Sequence, residues 1–248
     1  MYRFFVPEEN LQGGQAIIQG DDVNHIRNVL RMTVGERVTI SCGKGVDYVC
    51  SIKEFEERKI LLDIHEEKPA ITELSTEITL FQALPKKDKM ELIIQKAIEL
   101  GASQVVPFKA RRCVVKLDEK KEEKRAARWQ AIAEAAAKQS GRGIIPKIHR
   151  VLGFEQALTL AEELDTVLIP YELCDDMPAS VQAMQKAVGG KSIGIFIGPE
   201  GGFERSEIEQ AVDGGAIPIS LGKRILRTET AGLTALSVLM FMIEGKEE

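Results

Sequence analysis

The residues Gly198-Pro199-Glu200-Gly201-Gly202 follow the apolar run Ile193–Ile197 and precede a stretch of helical character, Glu204–Asp213. A strand ending in glycines and one carboxylate lets a ligand approach the backbone closely, because no Cβ stands in the way. The spacing fits neither GxxxxGK(S/T) nor GxGxxG, so it is not a phosphate-cradling loop of either kind. A tight strand-to-helix turn is the alternative. A second cluster, Leu221-Gly222-Lys223-Arg224-Ile225-Leu226-Arg227-Thr228-Glu229-Thr230-Ala231, follows the apolar run Ile217–Leu221 and leads into an apolar helix ending near Ile243. Thr228 suits an N-cap there, and Glu229 can be merely a charge at the helix start. Arg227 is harder to explain structurally; a guanidinium at that entrance can hold a phosphate or a nucleobase oxygen. A third element, Leu168-Ile169-Pro170-Tyr171-Glu172, runs a strand into a carboxylate that can meet a ribose hydroxyl or a ligand amine, or can simply be solvated.

These clusters need a scaffold. From Ile78 onward, strand-like runs at Ile78–Leu84, Gln104–Phe108, Thr166–Tyr171, Ile193–Ile197 and Ile217–Leu221 alternate with helical stretches, which predicts a mainly parallel sheet. A helix after Asp88 places Met90, Ile93, Ile94 and Ala97 on one face and stops at Gly101; a second carries Trp129 and Ala135–Ala137 and ends near Gly141. Residues 1–70 read differently. Short β-favouring runs at Arg37–Ser41, Tyr48–Ile52 and Ile60–Ile64 predict a compact β domain, interrupted by a helix that opens at Asp21-Asp22 and buries Val23, Ile26 and Leu30. Lys68-Pro69-Ala70 marks the expected boundary, leaving 71–248 to the α/β domain.

The net charge is −5, yet Lys86–Arg150 holds 17 Lys/Arg against 8 Asp/Glu, a local +9 that leaves −14 for the rest. Such a section can attract phosphates. Lys120, Lys121, Lys124, Arg125 and Arg128 also alternate with Glu119, Glu122 and Glu123 at helical spacing, as a solvated face would. Cys42, Cys50, Cys113 and Cys174 form no CxxC pair and have no histidines at metal-ligand spacing, which predicts buried free thiols and no metal. No apolar run reaches the length of a membrane span and the first ten residues lack signal-peptide character, so a cytoplasmic protein without membrane contact is expected.

Ala83–Glu91, Gln95-Lys96 with Glu99-Leu100-Gly101, Gln139-Ser140-Gly141-Arg142, Ile197–Phe203 and Leu221–Ala231 together resemble the RsmE (YggJ) family of small-subunit ribosomal RNA uridine N3-methyltransferases, with His25–Arg31 similar to its N-terminal motif. The resemblance spans nearly the whole chain. One departure stands out, since Lys87 occupies a position where the family pattern has Gly. The resemblance implies a PUA-like RNA-binding domain followed by a SPOUT methyltransferase domain with a deep trefoil knot, acting as a homodimer. Elementary topology alone expects a doubly wound sheet, because threaded chains are nearly absent from folds.

The resemblance further implies that S-adenosylmethionine sits among Leu168, Glu172, Ile197, Gly198, Glu200, Gly201, Gly202, Leu221, Gly222, Ile225 and Leu226. Its methyl group is then delivered to N3 of a specific uridine of 16S ribosomal RNA, uridine 1498 in the family, on naked RNA or on the small ribosomal subunit. N3 is a weak acid, so transfer needs a base or donors that stabilise the uracil anion. Arg227 is the expected stabiliser, Glu229 the base or the organiser of its loop, and Glu200 a reserve. N3 lies on the Watson–Crick edge, so the base must be unpaired. Arg27, Arg31, Lys86, Lys89, Arg111, Arg112 and Arg142 are the expected phosphate contacts. The rival readings are a non-catalytic RNA-binding or ribosome-assembly protein and a small-molecule α/β enzyme that uses the glycine loop for a phosphorylated ligand.

Overall fold

The computed structural model describes residues 1–115 and 119–246, which divide into two compact units. The side chains of Glu119, Lys120 and Lys121 lie outside the described residues, so their alternating-charge pattern stays a reading of the sequence.

The first unit comprises Met1–Glu73 and Ala137–Ile145. Its strands are β1 (Arg3–Phe5), β2 (Leu11–Gln12), β3 (Gln15–Gln19), β4 (Arg37–Ser41), β5 (Val46–Phe55) and β6 (Lys59–Pro69), in the sheet order β1-β4-β5-β6-β3-β2. Alternate residues such as Ile18, Val38, Ile40, Ile52, Ile60 and Leu62 point into one apolar core, as period-two patterning requires. Helix α1 (Asp21–Asn24) runs into a π-helical turn, His25–Val29, and Val23 and Ile26 are buried in the same core with Leu30 against it. Asp21 and Asp22 do not cap this helix. Gly20, at φ +74°, is the N-cap residue, and the two acids occupy the first turn, where their charge favours the helix dipole.

Lys68 and Pro69, the expected break, are the last residues of β6, and the unit runs on to Glu73. Glu73 then receives the returning segment. It accepts hydrogen bonds from the Gly143 and Ile144 amides at 2.9 and 3.3 Å and pairs with the Arg142 guanidinium, while Ser41 Oγ donates to the Gly143 carbonyl at 3.0 Å. A Cβ on Gly143 would lie 2.1 Å from that of Ala70, so only glycine fits. Arg142, only 3% exposed, is therefore corrected from a phosphate contact to a buried structural ion pair.

The second unit comprises Leu74–Ala136 and Pro146–Glu248. Its strands are β7 (Glu77–Ala83), β8 (Gln104–Lys109), β9 (Lys147–Ile148), β10 (Leu152–Gly153), β11 (Thr166–Pro170), β12 (Ser192–Ile197) and β13 (Ile217–Ile219). The pairs are all parallel, and β7 and β12 are buried almost throughout, as strands covered on both faces must be. The path is β10-β8-β7-β12-β11-β13, with β9 also on β8. A doubly wound sheet would place β11 beside β7. Here β12, the later strand, takes that place and pushes β11 outward.

The helices are α2 (Lys89–Glu99), α3 (Glu119–Ser140), α4 (Phe154–Ala161), α5 (Met177–Ala187), α6 (Arg205–Asp213) and α7 (Thr228–Glu244). Met90, Ile93, Ile94 and Ala97 of α2 are buried as their spacing predicts, and Gly101 follows the helix at φ +89°. Helix α7 packs on α2 and β12. Phe81, Phe108, Phe154, Phe196 and Phe203 form the aromatic centre of the core.

Lys87, the departure from the family pattern, has φ +57°. That region costs a non-glycine residue about 1–2 kcal/mol, of which glycine returns part through its freer unfolded chain. Lys87→Gly is therefore expected to gain roughly 0.5 kcal/mol in urea unfolding, whereas Lys87→Val loses stability.

Candidate functional site

Strands β11, β12 and β13 are parallel, with β11 between the other two, so their carboxyl ends share one edge and the loops that follow converge. Between these loops lies a cavity of about 720 Å³. From the first loop it is lined by Tyr171, Glu172 and Asp175; from the second by Ile197, Gly198, Glu200 and Gly202; and from the third by Leu221, Gly222, Ile225, Leu226 and Arg227. Two expected members fall outside it. Leu168 is fully buried inside β11, where a residue three positions before the loop belongs to the sheet core, and Gly201 turns its carbonyl to Arg112 Nη1 at 2.9 Å. Ile225, 91% exposed, stands at the rim.

The glycine loop is both a turn and a cavity wall. Gly202 donates to the Pro199 carbonyl at 2.9 Å and holds φ +68°, and a Cβ there would stand 3.1 Å from a Glu172 carboxylate oxygen. Thr228 fastens this loop. Its hydroxyl accepts from Gln82 Nε2 at 2.9 Å and donates to the Gly198 carbonyl at 2.6 Å, tying together the end of β7, the glycine loop and the start of α7. The hydroxyl is thus engaged elsewhere and cannot cap the helix. Arg227 is the N-cap residue, without a side-chain cap bond. Sequence patterning missed this role because both partners of Thr228 are remote in the chain.

Lys89, at the first position of α2, lies 3.0 Å from Glu229 and 3.5 Å from Glu200, and the Lys86 amide donates to Glu200 at 3.0 Å. Burial pushes the Glu229 carboxyl up, but its own amide, the Lys89 ammonium and the Arg227 charge outweigh this and hold it below the ordinary carboxylate value. Glu200 shows the same balance, with burial opposed by the Lys86 amide, its own amide and Lys89. Both are ionised at neutral pH, and a carboxylate held this way is a weak proton acceptor. Glu229 does not line the cavity itself; its neighbour Arg227 does. Lys89, expected as a phosphate contact, is in this structure the counter-ion of two acids.

Arg111 and Arg112 are exposed; Arg112 also braces the glycine loop through Gly201, and Arg111 braces the start of α6. The Arg111 amide donates to Glu207 at 2.9 Å, and its guanidinium lies 3.3 Å from Glu204. Lys86 is exposed. In the first unit, Arg27 and Arg31 are exposed, and Arg27 lines an open cleft of about 400 Å³ with Asn24, Asn28 and Arg58; its guanidinium lies 5.6 Å over the Phe55 ring. Lys223 and Arg224, on the third loop, add two exposed cations to the cavity rim that were not singled out as candidates. The thiols differ from expectation. Cys50 is buried, with its thiol pushed up to about 12, but Cys42, Cys113 and Cys174 are half-buried and Cys174 lines the cavity.

The family described as an RNA methyltransferase domain matches residues 72–240, and the RNA methyltransferase PUA domain matches residues 18–64. A Ribosomal RNA small subunit methyltransferase E from Bacillus subtilis (strain 168) is 36% identical over 98% of each chain. The chain belongs to the ribosomal RNA small subunit methyltransferase E family. A second family member, from Mycobacterium bovis, is 30% identical over 95% of this chain and 90% of its own. The crystal structure of a small subunit methyltransferase E from Neisseria gonorrhoeae bound to S-adenosyl methionine superposes with a TM-score of 0.82, at 33% identity over 97% of both chains. The family thus accounts for both parts of the fold, an α/β methyltransferase domain preceded by a PUA-like domain.

Proposed function

We propose that the chain methylates N3 of a specific uridine in 16S ribosomal RNA, uridine 1498 in the family, using S-adenosylmethionine. The observation that carries this reading is the cavity at the ends of three adjacent parallel strands, with the Arg227 guanidinium at its rim making no hydrogen bond or ion pair among the described residues. A volume of about 720 Å³ falls in the range of cofactor pockets. The walls suit the cofactor's parts. Ile197, Leu221, Leu226 and Phe203 offer apolar surface to an adenine, Glu172 and Asp175 offer acceptors to hydroxyl or amino groups, and the glycine loop keeps side chains off its path.

When bound, S-adenosylmethionine supplies an electrophilic sulfonium methyl and leaves as S-adenosylhomocysteine. Arg227 stabilises the uracil anion at a carbonyl oxygen, the N3 proton passing to solvent. Glu229 acts as the organiser of the loop, because a carboxylate held ionised by Lys89 has little affinity for that proton. Arg27, Arg31, Lys86, Arg111 and Arg112 bind RNA phosphates. The same reading places the family's knot at the point where β12 inserts between β7 and β11 and α7 returns to β12. It pairs two copies through the apolar side of α7 that leaves Val238 and Phe241 exposed. It also places the protein in the cytoplasm; among the described residues no helix is long and apolar enough to cross a membrane.

Incubation with methyl-labelled S-adenosylmethionine and unmodified small subunits or naked ribosomal RNA tests the proposal. Label recovered as N3-methyluridine is the expected result. Label on another nucleoside sinks the specificity, and no transfer by a folded, cofactor-binding protein favours the non-catalytic RNA-binding alternative. Gly202→Ala checks the pocket separately. The added Cβ combines left-handed strain with the Glu172 contact, and calorimetry is expected to show cofactor affinity reduced by about tenfold, the equivalent of some 1.4 kcal/mol.

A further inference from the structure

Two cations act on one carboxylate at the start of α7, and only one of them pairs with it. Lys89 Nζ holds Glu229 Oε2 at 3.0 Å and reaches Glu200 Oε1 at 3.5 Å, so one ammonium serves an acid from the helix and an acid from the glycine loop. Arg227 precedes Glu229 by two residues and is exposed at the cavity rim; its carbonyl accepts from the Ala231 amide at 2.8 Å, and its guanidinium makes no hydrogen bond or ion pair among the described residues. A compact ammonium with three donors can divide itself between two acids, whereas a guanidinium prefers a bidentate fork on one. Without Lys89, Glu229 would have Arg227 as its adjacent cation. Glu200 would remain held by the Lys86 amide, adding a second uncompensated negative charge nearby.

We infer that Lys89 is a positioning residue: by occupying Glu229 and Glu200 it keeps the Arg227 guanidinium free to face the substrate base instead of pairing with Glu229. The inference rests on the proposed role of Arg227, and it turns Lys89 from an RNA contact into a residue that acts through an acid.

The test compares Lys89→Met and the milder Lys89→Gln with the double variant Lys89→Met/Glu229→Gln. The readouts are methyl-transfer kinetics at saturating cofactor, cofactor affinity by calorimetry, and the crystal structure of each single variant. The single variants are expected to lose about 10²-fold in kcat. Their KM for RNA and their cofactor Kd are expected to stay within about threefold, as loss of an interaction made only in the transition state requires. In their crystal structures the Arg227 guanidinium pairs with Glu229. Removing the acid as well is expected to restore kcat at least about tenfold over Lys89→Met, a non-additivity that only coupled residues show. A raised KM for RNA with kcat intact and a shallower salt dependence would make Lys89 a phosphate contact and overturn the inference. So would a double variant no better than the single one, or an Arg227 that has not moved. If the unmodified protein transfers no methyl group, the proposed function fails by itself, while the position of Arg227 in the variant crystals still decides the inference.

Discussion

Arg227→Ala is expected to lower the methyl-transfer rate by about 10²–10³-fold, the usual cost of deleting one donor to a developing anion, with cofactor affinity nearly unchanged. Arg227 lines the cavity rim, is exposed, and its guanidinium makes no hydrogen bond or ion pair among the described residues, so its charge is available to a bound base. Deprotonating N3 places negative charge on the uracil carbonyl oxygens, and a fixed cation there lowers the barrier without tightening ground-state binding. Lys in its place restores little, because an ammonium on a flexible stem lacks the planar fork that addresses an oxygen in a defined direction. Single-turnover kinetics with calorimetry on the same preparation separates the two quantities. A variant with normal turnover and weakened cofactor binding would move Arg227 from the chemistry to the pocket wall.

Phe196→Ala is expected to destabilise the second unit by about 3–5 kcal/mol, the range for truncating a buried aromatic residue. Phe196 is fully buried, stacks on Phe81 with centroids 4.3 Å apart, and meets Phe108 at 5.5 Å and Phe154 at 6.1 Å. Three neighbours from three elements cannot all close on the resulting void. The consequence reaches the site, since Phe196 is followed by Ile197 and Gly198 of the cavity wall, and Phe203 at the far end of the glycine loop leans on Phe108 and Phe154. Phe196→Leu keeps most of the volume and is expected to cost below about 1.5 kcal/mol. Urea unfolding followed by far-UV circular dichroism measures both; a loss under 1 kcal/mol for the alanine variant would show a core able to repack around the gap.

Local patterning carried most of the elements. Arg37–Ser41 is β4 as read, and the apolar faces of α1 and α2 are buried where the periodicity put them. Strand order is another matter, because β11 and β12 are similar apolar runs and nothing in either says which lies beside β7. The expectation of a doubly wound sheet failed there. The loops that line the cavity were visible from their glycines and their position after strands. The couplings between them were not, since Lys89 meets Glu229 and Gln82 meets Thr228 across about 140 residues or more of chain. Arg142 misled for a related reason. Arginine is nearly always exposed, and its burial depends on Glu73, 69 residues earlier. The proposed uridine specificity rests on family resemblance alone; spacing had no means of showing it.

The return of Ala137–Ile145 to the first unit has a consequence for how the protein is made. Gly143 receives a hydrogen bond from Gly45 and another from Ser41, and Ile144 bridges to Lys44, so residues made early wait for residues made a hundred positions later. While the ribosome has released only the first hundred residues, the six strands exist but their closing segment has not emerged. Glu73 then has no guanidinium to neutralise it. Synthesis from the N-terminus thus cannot complete the first unit before much of the second has been translated, and a gene cut after Glu73 would yield all six strands without the segment that closes the unit.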